Sequence, residues 1–275
     1  MTKAWRGQNA LKQSFVVFCR SSCQRGMRTQ KNKAAPRRLR RAEAVLARRT
    51  SRFLVILDRC TDYHNADAVL RTAEALGIQN VWMVEQTPPA PRAWKPGAAS
   101  KGSHRWLDIK IFPQATECIN QLHKEQWEIW ATDLGESAKD CIAEELPTIP
   151  KKIALVLGRE SDGVSAEFLQ AAKHRLRLPM HGFAESLNLS VAAGLFLAAL
   201  FRACPEARGD ISESQKLDLR KHWYSTLATS EEQREEFMRW VKKPPSPLDD
   251  PRPAPESRRP RVPKKAAKRY KIERN

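Results

Sequence analysis

The sequence predicts a mostly parallel α/β sheet, on three observations. Short apolar runs alternate with helix-periodic stretches from Phe53 to Ala203. One run, Ile153 to Leu157, is apolar throughout, as suits a strand buried on both faces. Gly158 follows the run ending at Leu157, and Pro179 with a glycine-containing loop follows the run ending at Leu178, where open α/β sheets keep ligand-binding loops.

Taken in order, Pro36 to Arg49 reads as a helix with Leu39, Ala42, Val45 and Leu46 on one side and arginines elsewhere. Strands are expected at 53–57, 80–84, 107–111, 127–131, 153–157 and 175–178. Helices are expected at 66–76, 114–124, 165–172 and 190–203. Ser212 to Val241 holds two further helical stretches, whose Trp223, Tyr224, Phe237 and Trp240 should pack back onto the domain. A 41% apolar content supports a real core. The longest apolar run, Val191 to Phe201, falls short of the roughly 20 residues a membrane span needs, so no membrane partner is expected.

The formal charge of +18 is carried by the ends. Residues 1–41 hold 12 Lys/Arg and no acid, and residues 251–275 hold 10 against 2 acids, leaving 42–250 slightly acidic. Basic arms of this kind release counterions from a phosphate backbone and give affinity without sequence selectivity. Residues 1–36 therefore read as a basic arm, or as a targeting peptide, being Arg-rich and acid-free with FVVFC at 15–19. The domain proper spans 37–241. The tail, 242–275, has eight prolines and few aliphatic residues, a composition that predicts disorder. Six cysteines show no C-x-x-C pair and no paired histidine spacing, so neither a metal nor a disulfide framework is expected. A reducing compartment follows: cytoplasmic, or organellar if the N-terminal arm directs import.

Three segments carry polarity where a sheet and its helices should be apolar. In Asn65 to Gly77, NADAVLRTAEALG, a helix buries Ala68, Val69, Ala73 and Leu76, with Asn65 as its expected N-cap. Asn65 and Arg71 lie roughly 600° apart along the helix, so their side chains point different ways. Arg71 then either pairs with Glu74 on a solvated face or projects into a site. In Ile153 to Gly163, IALVLGRESDG, Gly158, Glu160 and Gly163 follow a buried strand. In Leu178 to Leu197, LPMHGFAESLNLSVAAGLFL, Ser186, Asn188 and Ser190 stand at the mouth of a very apolar helix, as caps or as site groups.

In this order, N-x-x-A-x-x-R-T-A, L-G-x-E-x-x-G and P-M-x-G-x-x-x-S-L-N-x-S-V-A resemble the motifs of the SPOUT superfamily of knotted methyltransferases, specifically its TrmH-type ribose 2′-O-methyltransferases. The resemblance covers Arg37 to Ala203. It extends to the basic helix RRLRRAEAVLARR and to AASKGSHRW, which are similar to the tRNA enzymes that methylate the D-loop guanosine at position 18. It implies a C-terminal trefoil knot, a homodimer, S-adenosylmethionine as cofactor and tRNA as substrate. By the same resemblance Arg71, Asn65, Glu160, Ser186 and Asn188 form the catalytic constellation, with Arg71 as a substrate-assisted base or an electrostatic stabiliser. Thr132, Gly158, Leu178, Met180 and Leu187 would hold the cofactor, largely through main-chain groups. Arg38, Arg41, Arg48 and Arg49 would contact RNA. Asp67 and Arg159 depart from the pattern but leave its spacings intact. The same chemistry on ribosomal RNA, or a non-catalytic RNA-binding assembly factor, are the competing readings.

Overall fold

Among the residues described by the structure, a computed structural model covering 35–85, 94, 95 and 97–252, the chain runs through alternating helices and strands. These are α1 (Arg37–Leu46), β1 (Thr50–Asp58), α2 (Tyr63–Leu76), β2 (Ile78–Val84), β3 (Asp108–Phe112), α3 (Ala115–Lys124), β4 (Glu128–Thr132) and β5 (Lys139–Asp140). They continue with β6 (Ile153–Leu157), α4 (Ala166–Ala171), β7 (His174–Arg177), α5 (Leu189–Ala203), α6 (Glu213–Leu227) and α7 (Glu231–Arg239). All strand pairs are parallel, in the order β3-β2-β1-β6-β4-β7-β5.

The period-two alternation of the strands divides the interior. Phe53, Val55 and Leu57 of β1 pack in one apolar cluster with Val69 and Ala73 of α2 and with Ala193, Leu197 and Leu200 of α5. Leu54 and Ile56 face the other way, joining Cys118 and Leu122 of α3 and Phe168 of α4. Burial on both faces explains why β6 is apolar at each of its positions. From β1 the chain builds β2 and β3 on one side, then crosses to build the rest on the other. The loops after the neighbouring strands β1 and β6 thus diverge at a topological switch point, where such sheets open a crevice.

Each expected strand and core helix is present, with ends shifted by up to three residues. The two-residue β5 was not anticipated, because so short a strand has no periodicity to read; it pairs with β7. Its position is set by Asp140, whose Oδ1 accepts from Ile142 and Ala143 N–H at 2.8 and 3.0 Å. The start of α2 corrects the expected cap: Asp62 is the N-cap, its Oδ1 accepting from His64 N–H at 2.8 Å. Asn65 therefore lies inside the first turn, with its side chain released for other bonds.

The basic helix also differs from expectation. It stops at Leu46, and Arg49 is fully buried. Arg49 donates to Ile78 O at 2.6 Å and to Glu74 Oε1 at 2.7 Å, and its guanidinium lies 5.2 Å from the Trp223 ring centroid. Burial lowers its pKa, with Glu74 opposing that shift. Arg49 is thus a cation held by internal partners, set in the wall of a cleft it shares with Arg38 and Arg41 rather than exposed on the surface as expected. Leu39, Ala42 and Leu46 meet Trp223, Tyr224 and Phe237 in a third cluster, so these aromatics pack α6 and α7 back as expected. Glu43 anchors that contact, accepting from Arg220 Nε at 2.8 Å and Tyr224 OH at 2.6 Å.

The start of the tail is ordered by α1. Leu248 N–H donates to Arg40 O at 3.1 Å, Arg40 Nε to Ser246 O at 3.1 Å, and Arg48 Nη2 to Asp249 O at 3.3 Å. Residues 242–252 thus depart from the disorder expected of 242–275; the remainder of that tail, and the arm through Ala34, lie outside the described residues. No described helix is long and apolar enough to cross a membrane. Among the described residues no group of His, Cys, Asp and Glu is arranged to hold a metal.

Candidate active site

Gly158 sets the geometry of the loop after β6. A Cβ there would lie 2.0 Å from the Gly163 carbonyl carbon and 2.2 Å from Val164 N, so only hydrogen fits. Gly163 closes the turn with φ of +69°. The intervening Arg159 engages both oxygens of Asp162, Nη2 donating to Oδ2 at 2.7 Å. That bond, joined by Ser161 and Arg59, holds the Asp162 carboxyl well below the usual range. With Arg159 and Asp162 tied to each other, Glu160 points across the crevice to α2.

There the three sequence segments meet. Asn65 Nδ2 donates to Glu160 Oε1. Asn188 Nδ2 donates to Asn65 Oδ1 at 2.9 Å. The Asn188 Oδ1 in turn caps α5, accepting from Ser190 N–H at 3.0 Å and Ser190 Oγ at 2.7 Å. One chain of bonds therefore links the loop after β6, the first turn of α2 and the N-terminus of α5. Asn188 thus caps α5 with its oxygen and joins the bonded chain with its amide.

Behind this rim lies a pocket of about 340 Å³ at the carboxyl ends of β4, β6 and β7. Thr132, Gly158, Leu178, Met180 and Leu187 all line it, and Glu160 and Ser186 stand in its wall. Thr132 Oγ1 donates to Val156 O at 3.1 Å, tying the end of β4 to β6. Leu157, Leu189 and Phe196 supply apolar surface. A concavity with an apolar floor and charged groups in its wall suits a small organic ligand that carries both apolar and polar parts.

Arg71 lies elsewhere. It is exposed and lines a separate recess with Thr72, Lys101, Ser190 and Gly194. Glu74 does not pair with it, being bound by Arg49. Of the basic residues expected on the surface, Arg38 and Arg41 line a cleft of about 300 Å³ with Lys101, Ser103 and Trp106. Arg48 is exposed beside the start of the tail. Sequence reasoning passed over Arg177 and Glu185, which also line the pocket. The available signal for Arg177 was a cation at the end of a strand that opens directly into the Leu178–Leu197 motif.

A parallel sheet carrying a ligand pocket beyond its strand ends, rimmed by amides and a carboxylate, defines an α/β enzyme class that binds a small organic cofactor or substrate. Residues 52–198 match the SpoU rRNA Methylase family, and the chain belongs to that family. It is 35% identical over 160 residues to the tRNA (guanosine(18)-2′-O)-methyltransferase of Thermus thermophilus, covering 58% of this chain and 79% of that protein. It is 30% identical over 154 residues to a 23S rRNA (guanosine-2′-O-)-methyltransferase of Vibrio vulnificus, covering 56% of this chain and 60% of that one. The crystal structure of the A. aeolicus TrmH/SpoU tRNA modifying enzyme superposes with a TM-score of 0.61 at 28% identity, covering 70% of this chain and 98% of that chain.

Proposed function

We propose that the protein is an S-adenosylmethionine-dependent tRNA ribose 2′-O-methyltransferase acting on the D-loop guanosine at position 18. The observation that carries this reading is the bonded Glu160–Asn65–Asn188 rim standing over a pocket lined by Thr132, Gly158, Leu178, Met180 and Leu187. Membership of the SpoU family and the similarity to tRNA (guanosine(18)-2′-O)-methyltransferases support it.

S-adenosylmethionine supplies a methyl group already activated by its sulfonium charge. The protein's part is to position the ribose and manage the proton of a weakly acidic hydroxyl. Glu160, Asn65 and Asn188 present acceptors and donors at the pocket mouth, with Ser186 beside them. An arginine stays protonated near neutrality, so Arg71 serves best by gripping an RNA phosphate and stabilising charge that develops on the 2′-oxygen.

Arg71 needs a second copy of the chain to reach a pocket. Along α5, Ser190 and Gly194 line the Arg71 recess, whereas Leu189, Ala192 and Phe196 line the pocket. Between those faces, at about 100° per residue, stand Val191 and Leu195, 50% and 39% exposed. A two-fold contact through this apolar strip would carry Arg71 of one copy toward the pocket of the other. A homodimer belongs to the reading for that reason. So does the C-terminal knot: β6 inserts between β1 and β4, β7 goes beyond β4, and the chain then returns to α5 beside α2. This path supports threading past the 133–152 connection, an exception among folds.

Arg38, Arg41 and Lys101 offer phosphate contacts around their cleft, with Arg48 nearby. A cytoplasmic location is part of the proposal, supported by Cys60, Cys118, Cys141 and Cys204 being free and buried.

The test is methylation of a defined tRNA set with labelled S-adenosylmethionine, followed by nucleotide mapping. Arg71→Ala should lose about 10²-fold or more in turnover while cofactor affinity by calorimetry stays unchanged. Normal turnover by that variant would overturn the catalytic role. Methylation of ribosomal RNA alone would favour the rRNA reading, and no cofactor binding the non-catalytic one.

A further inference from the structure

Among the described residues, six charged side chains line the pocket at the ends of β4, β6 and β7, and four of them are engaged. Arg159 and Asp162 bond to each other, Asp133 pairs with Arg175 at 3.4 Å, and Glu160 accepts from Asn65. The other two, Arg177 and Glu185, form no hydrogen bond or ion pair among the described residues. Arg177 is half-buried, and its Nε is buried outright without an acceptor. Such an N–H keeps its full desolvation cost until something accepts from it. Asp140, across the register on β5, feels the Arg177 charge but accepts no hydrogen bond from it, its Oδ1 taking the N–H groups of Ile142 and Ala143. The Asp140 carboxyl is lowered first by those N–H groups, and only more weakly by the Arg177 charge.

The pocket thus offers to whatever fills it one cation and one anion that form no hydrogen bond or ion pair among the described residues. We propose that Arg177 binds the carboxylate of the amino-acid end of S-adenosylmethionine and that Glu185 takes its ammonium group. This rests on the cofactor proposed above and assigns which end of it meets which wall. A guanidinium presents two parallel N–H groups that match a carboxylate, and a part-buried setting strengthens the pair. Leu157, Leu187 and Phe196 are left for the apolar remainder of the ligand.

Calorimetry on the full chain tests this with three probes: S-adenosylmethionine, its decarboxylated form, and 5′-methylthioadenosine, which lacks the amino-acid end. The wild type should bind S-adenosylmethionine about ten- to a hundredfold more tightly than the decarboxylated form. Arg177→Met should abolish that gap by weakening S-adenosylmethionine alone, and Arg177→Lys should restore part of it. Glu185→Gln should weaken both amine-bearing probes and leave 5′-methylthioadenosine unchanged. Equal weakening of all three probes by Arg177→Met would mean a structural role and overturn the proposal. So would equal wild-type affinity for the two forms, or loss of tRNA affinity by Arg177→Met with cofactor affinity intact. Failure of the wild type to bind any probe would instead sink the methyltransferase reading itself.

Discussion

Asn188 caps a helix with its carbonyl and holds Asn65 with its amide, so its two roles can be separated chemically. Asn188→Asp keeps the capping oxygen and removes the amide donor. It should melt within a few degrees of the wild type, since Asp and Asn cap about equally well, yet lose methylation. Asn188→Ala should lose activity and also about 1 kcal/mol of stability in urea titration. Matching activities for the Asp variant and wild type would show that the Asn65 bond is idle. Arg49 gives the opposite case, a basic residue whose surroundings make it structural. Arg49→Ala leaves Glu74 and the Ile78 carbonyl without their donor and should destabilise the chain by about 3 kcal/mol. Its effect on tRNA binding, measured where the variant is still folded, should be nil; a selective loss of tRNA affinity would restore it to the RNA surface.

At the level of elements, the loop after β6 works because two backbone strands of one turn touch at Gly158. Gly158→Ala drives a methyl group into the main chain at Gly163 and Val164, which cannot swing aside as a side chain would. The turn must open, costing about 1–3 kcal/mol and misplacing Glu160. Cofactor binding should be lost in calorimetry. Gly182, in the loop before α5, is the control: a Cβ there meets nothing within 4 Å, so Gly182→Ala should change stability by no more than about 0.5 kcal/mol. Comparable damage from both substitutions would refute the steric account. Gly194 of α5 differs from Gly158: a Cβ there would make ordinary contact with Thr72 Cγ2 of α2 at 3.6 Å, so alanine fits. Packing of α2 against α5 sets the Arg71 recess beside the apolar strip of α5.

For the whole molecule, the charge asymmetry predicts how RNA is held. Deleting residues 251–275 removes ten Lys/Arg and two acids from the chain. The affinity for tRNA should fall and its dependence on salt concentration flatten, because fewer counterions are released. The nucleotide methylated should stay the same, since that choice belongs to the pocket and its rim. An unchanged slope in filter-binding titrations across salt concentrations would remove the tail from RNA binding. The proposed dimer has its own consequence: mixing Arg71→Ala chains with chains defective in the pocket should rebuild one working site per mixed dimer.

The sequence by itself determined the parallel sheet and nearly all its strands, because alternating burial is a local pattern; five of the residues lining the pocket came from the resemblance of its motifs, and Arg177 and Glu185 from neither. Thr132, Gly158, Leu178, Met180 and Leu187 were named together and line one cavity. What only the tertiary structure decided was which polar group each side chain meets. Arg49 and Arg48 are neighbours of identical chemistry, yet one is sealed beneath Trp223 while the other reaches Asp249, a difference set by residues more than 170 positions away. Asn65 gave up the cap because Asp62 extended the helix, and Arg71 was separated from the pocket by the packing of α5. Partners far apart in sequence leave no periodic trace, since hydrogen bonds and ion pairs are fixed by where the chain returns in space rather than by spacing along it.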